Sequence, residues 1–224
     1  MPRKNEAFES VRNGDLAALR SLLAAEPALA EARDENGVSL LLTALYQRQQ
    51  EALDALVAAR SSFDLFEAAA LGRTADVRAL LDTDAAQVRA TSADGFSALH
   101  LSAFFGRAET AAALIERGAD VDACATNGSE LKPINSAAAG GHRELVELLL
   151  DHGAEIEARQ RGGFTALHSA AAGGNGELAA LLVERGANVG ARGDDGKTPA
   201  DIASDRGHAA LLDLLNPGNQ EMPG

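Results

Sequence analysis

Apolar residues recur along this chain at the i, i+3, i+4 spacing of helices rather than the alternation of strands, and they come in short bursts. Leu16, Leu19, Leu22 and Leu23 fall on one stripe, and Leu53, Leu56 and Val57 on another. Glycines punctuate the bursts at Gly14, Gly72, Gly106, Gly141, Gly174 and Gly207, with Arg48 in the equivalent place between the first two. The pattern predicts a short first helix, a tight turn and a longer, Leu-rich second helix, repeated seven times. Gly118, Gly153 and Gly186 are expected to end second helices in the left-handed conformation that a Cβ disfavours.

The units fall at about 5–33, 34–62, 63–91, 92–125, 126–159, 160–192 and 193–216, as one domain over 1–216, and 217–224 is expected to be a disordered tail. A larger duplication is superimposed. Gly14, Gly37 and Ser39 map onto Gly72, Gly95 and Ser97 with an offset of 58 residues, as do Phe8 onto Phe66 and Leu22-Leu23 onto Leu80-Leu81. Between the second and third units the pattern breaks, because Arg48 to Gly72 is only 24 residues. There Asp64 and Glu67 read as an N-cap with its capping-box partner, so the third unit's first helix starts directly and no finger projects.

The segment Asp94-Gly95-Phe96-Ser97-Ala98-Leu99-His100 returns as Gly163-Phe164-Thr165-Ala166-Leu167-His168 and again as Asp195-Gly196-Lys197-Thr198-Pro199-Ala200. Gly95 to Gly128 and Gly163 to Gly196 are each 33 residues. Units of that period with a T-P-L-H-x-A-like start resemble the ankyrin repeat, and the compact, Ala-rich form resembles a bacterial stand-alone array. The resemblance implies an all-α solenoid of about seven paired antiparallel helices with β-hairpin-like fingers, lacking one between the second and third units. It also implies a binding scaffold whose partners dock on the finger tips and the exposed ends of the first helices. Unit five departs from the pattern, with about two extra residues before Pro133 and with Lys132 and Asn135 where unit four has Ser97 and His100. Unit seven has Asp201 in the His place. Ser97, Thr165 and Thr198 are expected to cap their first helices, and Pro133 and Pro199 to open theirs.

Composition narrows the partner. Hydrophobic residues make up 46% of the chain but aromatics only 4%, so the core must be built from Ala, Leu and Val. A net charge of −13 argues against a nucleic-acid backbone or an anionic membrane as partner, since both need clustered Lys and Arg. The single Cys124 forms no internal disulfide and is expected to be a small, at least half-buried residue. No apolar stretch follows Arg3 and Lys4 as in a secretory leader, and no run approaches about 18 apolar residues. A cytoplasmic monomer is expected, binding an unidentified protein without cofactor or metal.

His100 and His168 invite a catalytic reading, but neither has a nucleophile and a carboxylate arranged with it. The resemblance makes both structural, bonded to the neighbouring Ser or Thr and to turn backbone. His142, His152 and His208 lack metal-ligand spacing with Cys. The run from Ala191 to Thr198 satisfies a relaxed phosphate-loop pattern around Lys197. It lacks the required preceding strand, and Asp194 and Asp195 would repel phosphate, so a nucleotide- or small-molecule-binding enzyme is the lesser alternative. A structural module without a dedicated partner is another. The expected contact residues are Tyr46, Leu71, Phe96, Phe104, Phe105 and Phe164, with Leu131 a secondary contact on the unusual loop; apolar side chains held at an exposed surface point to a partner. The competing reading is that one of Phe104 and Phe105 packs inward, and that Phe96 and Phe164 pack on neighbouring tips. Phe8 and Phe66 are expected in the core.

Overall fold

The computed structural model describes residues 2–216 and 218, so the expected tail, Gly218 apart, lies outside the described residues. Helices follow one another in pairs. The first four are α1 (Pro2–Asn13), α2 (Leu16–Ala25), α3 (Leu40–Tyr46) and α4 (Gln50–Ala58). The middle of the chain forms α5 (Leu65–Leu71), α6 (Thr74–Thr83), α7 (Ala98–Phe104) and α8 (Ala108–Glu116). Then come α9 (Pro133–Gly140), α10 (Arg143–Asp151), α11 (Ala166–Gly173), α12 (Gly176–Glu184), α13 (Pro199–Asp205) and the single turn α14 (Leu212–Leu215). Odd-numbered helices stack on one another as an inner row, and the even-numbered ones lie behind them. The inner row can stack closely because its facing residues are small: Ala68, Ala69, Ala70, Ala137, Ala170 and Ala171 are all buried. One continuous apolar core runs between the rows.

The turn after each first helix has the backbone that the glycine pattern requires. Gly14, Gly72, Gly106, Gly141, Gly174 and Gly207 have φ between +66° and +79°, and Arg48 takes the same left-handed region at +54°. The 58-residue duplication is equally plain in three dimensions. Short 3-10 turns at Pro27–Glu31 and Ala85–Arg89, unforeseen from the pattern, lie 58 residues apart. So do the two isolated bridges, Arg33 with Ser39 and Thr91 with Ser97.

The fingers agree with the expectation, while Cys124, the last second helix and Phe66 depart from it. The fingers are hairpin-like, as expected: a backbone bond closes each tip, Asp34 to Val38 and Ser92 to Phe96 at 2.8 Å among them, and side chains reinforce it, though each is too short for a ladder. Asp34 Oδ1 accepts from the N–H groups of Asn36 and Val38, for example, and Ser92 Oγ bridges the N–H and carbonyl of Phe96. Cys124 is exposed rather than buried, the inward position going to its neighbour Ala125. The last second helix is a 3-10 turn, Ala209–Leu211, running into α14, since exposed Ala209 and Ala210 offer no bulk to anchor a longer helix. Phe8 is buried, whereas Phe66 is half-buried against the core.

At the junction of the second and third pairs, residues 60–64 make no finger, and α3 packs on α5 less extensively than α5 on α7. The gap is filled by charge. Glu67, fully buried, accepts two hydrogen bonds from the Arg60 guanidinium at 2.8 and 2.7 Å, while Asp64 and Glu67 also complete the expected capping box. Phe63 is buried between the guanidinium groups of Arg60 and Arg73, which lie 5.0 and 4.6 Å from its ring centroid. Burial alone would raise the Glu67 carboxyl, but the hydrogen bonds from Arg60 and Ser39 outweigh it and hold it below the usual carboxylate range.

Candidate partner-binding surface

The inner surface is set by how each first helix begins. Ser97 Oγ accepts the His100 N–H at 3.3 Å, and His100 Nδ1 accepts the Ser97 N–H at the same distance. With Nδ1 accepting, Nε2 carries the proton and donates to the Leu131 carbonyl at 2.9 Å. His168 repeats the arrangement, with Nδ1 on the Thr165 N–H at 3.1 Å and Nε2 on the Lys197 carbonyl at 3.2 Å. Asn135 does both jobs with an amide: Oδ1 accepts from the Lys132 N–H and Nδ2 donates to the Ala158 carbonyl, each at 3.0 Å. Asp201 only accepts, from the N–H and hydroxyl of Thr198, and has no proton to pass on. Each linking side chain thereby ties its helix to the next finger. Both histidines are structural, as the resemblance implies; burial lowers their pKa values, partly offset by the bonds to carbonyls.

Fixing Leu131 completes a slot of about 140 Å³ whose walls include Tyr46, Phe96, His100, Leu101 and Phe104. Tyr46 reaches it from the end of α3, past α5. Its hydroxyl donates to Asp94 Oδ2 at 2.6 Å and its ring stacks on Phe105 with centroids 5.7 Å apart. Burial, then the Asp94 carboxylate, push the Tyr46 hydroxyl far above its ordinary pKa, so it stays a donor. Phe105 meets Phe104 edge-on at 5.1 Å. Phe104 is the large apolar side chain that stays exposed among the described residues, at 36%. On the other side of Phe104 and Tyr46 lies a second recess of about 380 Å³, with Arg48, Arg107 and His142 in its walls.

The structure thus brings Tyr46, Phe96, Phe104 and Leu131 to one slot, with half-buried Phe105 behind them. Leu71 is half-buried against the core and lines neither recess, since Tyr46 bridges across its unit. Phe164 stands apart, over His168 at 5.2 Å and against Gly193 of the next finger, in a recess of about 330 Å³. At Lys197 the ammonium lies 2.8 Å from Asp205, and Thr198 caps α13 as expected. Among the described residues, no three His, Cys, Asp or Glu side chains converge as a metal-holding group. No helix among them is long and apolar enough to cross a membrane.

One set of contacts escaped the sequence reading. The residue after four of the six turn glycines reaches back to a carbonyl at the end of the preceding first helix. Arg107 Nε meets Ala70 O at 3.0 Å, His142 Nε2 meets Phe104 O at 3.0 Å, Asn175 Nδ2 meets Gly141 O at 3.1 Å, and His208 Nε2 meets Ala172 O at 3.3 Å. The signal was present as a polar residue directly after Gly106, Gly141, Gly174 and Gly207.

Stacked helical pairs carrying a furrow of side chains define a repeat-built interaction module. Two models of one family match the chain: ankyrin repeats (3 copies) over residues 134–221 and ankyrin repeats (many copies) over 106–150. The chain belongs to the ankyrin-repeat family. It is 40% identical over 95 residues to "Probable E3 ubiquitin-protein ligase XBOS31" of Oryza sativa subsp. japonica, covering 42% of this chain and 21% of that one. It is 35% identical over 95 residues to "B-cell lymphoma 3 protein homolog" of Mus musculus, covering 41% and 21%. Against "Ankyrin repeat and SAM domain-containing protein 6" of Mus musculus it is 32% identical over 140 residues, covering 59% and 16%. The alignments span about a fifth of these relatives' own lengths. Ankyrin repeats generally serve as protein–protein interaction modules, and the ligase-named relative matches only through repeats.

Proposed function

We propose that this chain is a non-enzymatic scaffold, monomeric and cytoplasmic, that binds a protein partner on its concave finger and first-helix surface. Seven units within 5–216 form the array, and the contact is centred on Tyr46, Phe96, Phe104 and Leu131. Phe105 supports that centre, while Leu71 and Phe164 are peripheral. The observation that carries the reading is the exposure of Phe104 beside an apolar slot, because a large apolar side chain left in water beside an unfilled cleft is the usual mark of an interface anchor. The alternative centred on Lys197 gains no support from geometry that commits its ammonium to Asp205.

The test compares affinity purification from the native cell with wild-type bait and with the Phe104→Ala/Phe105→Ala variant. The expected outcome is a specific co-purifying protein that the variant fails to retain, with the variant's circular dichroism unchanged. Equal recovery by a folded variant rules the patch out.

A further inference from the structure

Arg48 occupies a position that glycine holds in the six equivalent turns, and it does so at φ +54°, where an L side chain is strained. Strain at a single surface residue calls for a compensating role. None is found among the described residues. The Arg48 side chain is exposed and makes no hydrogen bond or ion pair among the described residues. It lines the 380 Å³ recess together with Arg107 and His142, and no carboxylate is among the lining residues. Among the described residues Arg107 also has no acidic partner, its Nε being occupied by the Ala70 carbonyl. In a chain with 33 acidic and 20 basic residues, a recess walled by unpaired cations is a local reversal of charge. Only Phe104 and Tyr46 separate it from the apolar slot, since both line the two spaces. The slot's 140 Å³ suits one bulky side chain rather than a helix face, a dry cavity of about 150 Å³ being enough to hold benzene.

We infer that the Phe104 ridge divides a two-part site for an extended protein segment that carries a bulky apolar side chain close to a carboxylate. This rests on the scaffold reading. The apolar side chain enters the slot, and the carboxylate meets Arg48 and Arg107. A guanidinium presents paired N–H donors that match a carboxylate, and such charge-assisted bonds strengthen beside apolar rings that exclude water. Basic segments are disfavoured by the same cations, which gives the site a sign as well as a shape.

The test selects a phage-displayed library of random linear dodecapeptides on the full chain and measures the best binder by fluorescence anisotropy. Expected are sequences pairing Leu, Met or Phe with Asp or Glu within two residues, whose affinity falls as salt rises. Replacing the peptide's acid by its amide, or Arg48→Gly in the protein, should each weaken binding about tenfold or more, the scale of one lost charged hydrogen bond. Arg48→Gly should fold with an unchanged or higher Tm, because glycine suits that backbone, so the loss cannot be ascribed to unfolding. No enrichment, enrichment of basic peptides, or wild-type affinity in Arg48→Gly overturns the inference. If Phe104→Ala abolishes peptide binding while Arg48→Gly leaves it intact, the scaffold reading stands and this one falls; if neither changes it, both fall.

Discussion

His100 and His168 show how far one residue type can be read from sequence. Their place in the motif foretold bonds to Ser97 or Thr165 and to turn backbone, and those bonds are present. That Asn135 substitutes for them was visible only as a departure, because an amide's two-ended bonding depends on where Ala158 lies. Burial favours neutral imidazoles here, so the folded chain binds fewer protons than the unfolded one once pH drops below about 6.5. The histidine contribution to stability is therefore complete above about pH 6.5 and is lost as pH falls through the lowered folded values. Urea midpoints at pH 7.5, 6.0 and 5.0 should decline for wild type. A His100→Asn/His168→Asn variant, borrowing the solution used at Asn135, should decline less over that window; an equal decline would show that other groups control it.

At the level of helices and their connections, the shortened spacing from Arg48 to Gly72 located the seam without a finger, and Asp64 located the start of α5. What fills the seam was not legible. Arg60 and Glu67 are seven residues apart and look like any solvated pair; they are buried because the fold sets Ser39 against Glu67 and Phe63 against Arg60. Leu71 lies outside the slot for a related reason, since no local pattern reveals that Tyr46 crosses the third unit to reach Asp94 and Phe105. Glu67→Gln leaves Arg60 buried without its counter-charge and should cost about 3–5 kcal/mol in chemical denaturation. Replacing both residues by Met should restore most of that loss, as apolar replacement of a buried pair commonly does. A single-variant cost below about 1 kcal/mol would mean that the pair is effectively solvated.

Across the whole array, stability is a sum of units and the contacts between neighbours, so the weakest seam decides where it opens. Ion pairs strap adjacent outer helices together: Arg78 to Glu116 and Arg117 to Asp82 join α6 with α8, and Arg185 to Glu147 and Asp151 joins α10 with α12. Among the described residues no such strap joins α4 to α6 or α8 to α10, but α8 still packs on α10 whereas α4 scarcely touches α6. Amides of α1 to α4 should then exchange with solvent at lower opening free energy than those of α7 to α12, and Glu67→Gln should widen the gap. Uniform protection across all helices would remove the seam from the account. The 58-residue correspondence of bridges and 3-10 turns has a practical corollary for building with this chain. A second copy of residues 34–91 spliced in after Thr91 would be cut at equivalent positions, because Asp34 and Ser92 are counterparts, but α6 would lose its straps to Glu116 and Arg117, whose counterparts are Ala58 and Ala59. The molecule carries its own extension kit, graduated in double units, and lengthening it at that joint calls only for a Glu and an Arg to be restored at the two alanines facing α6.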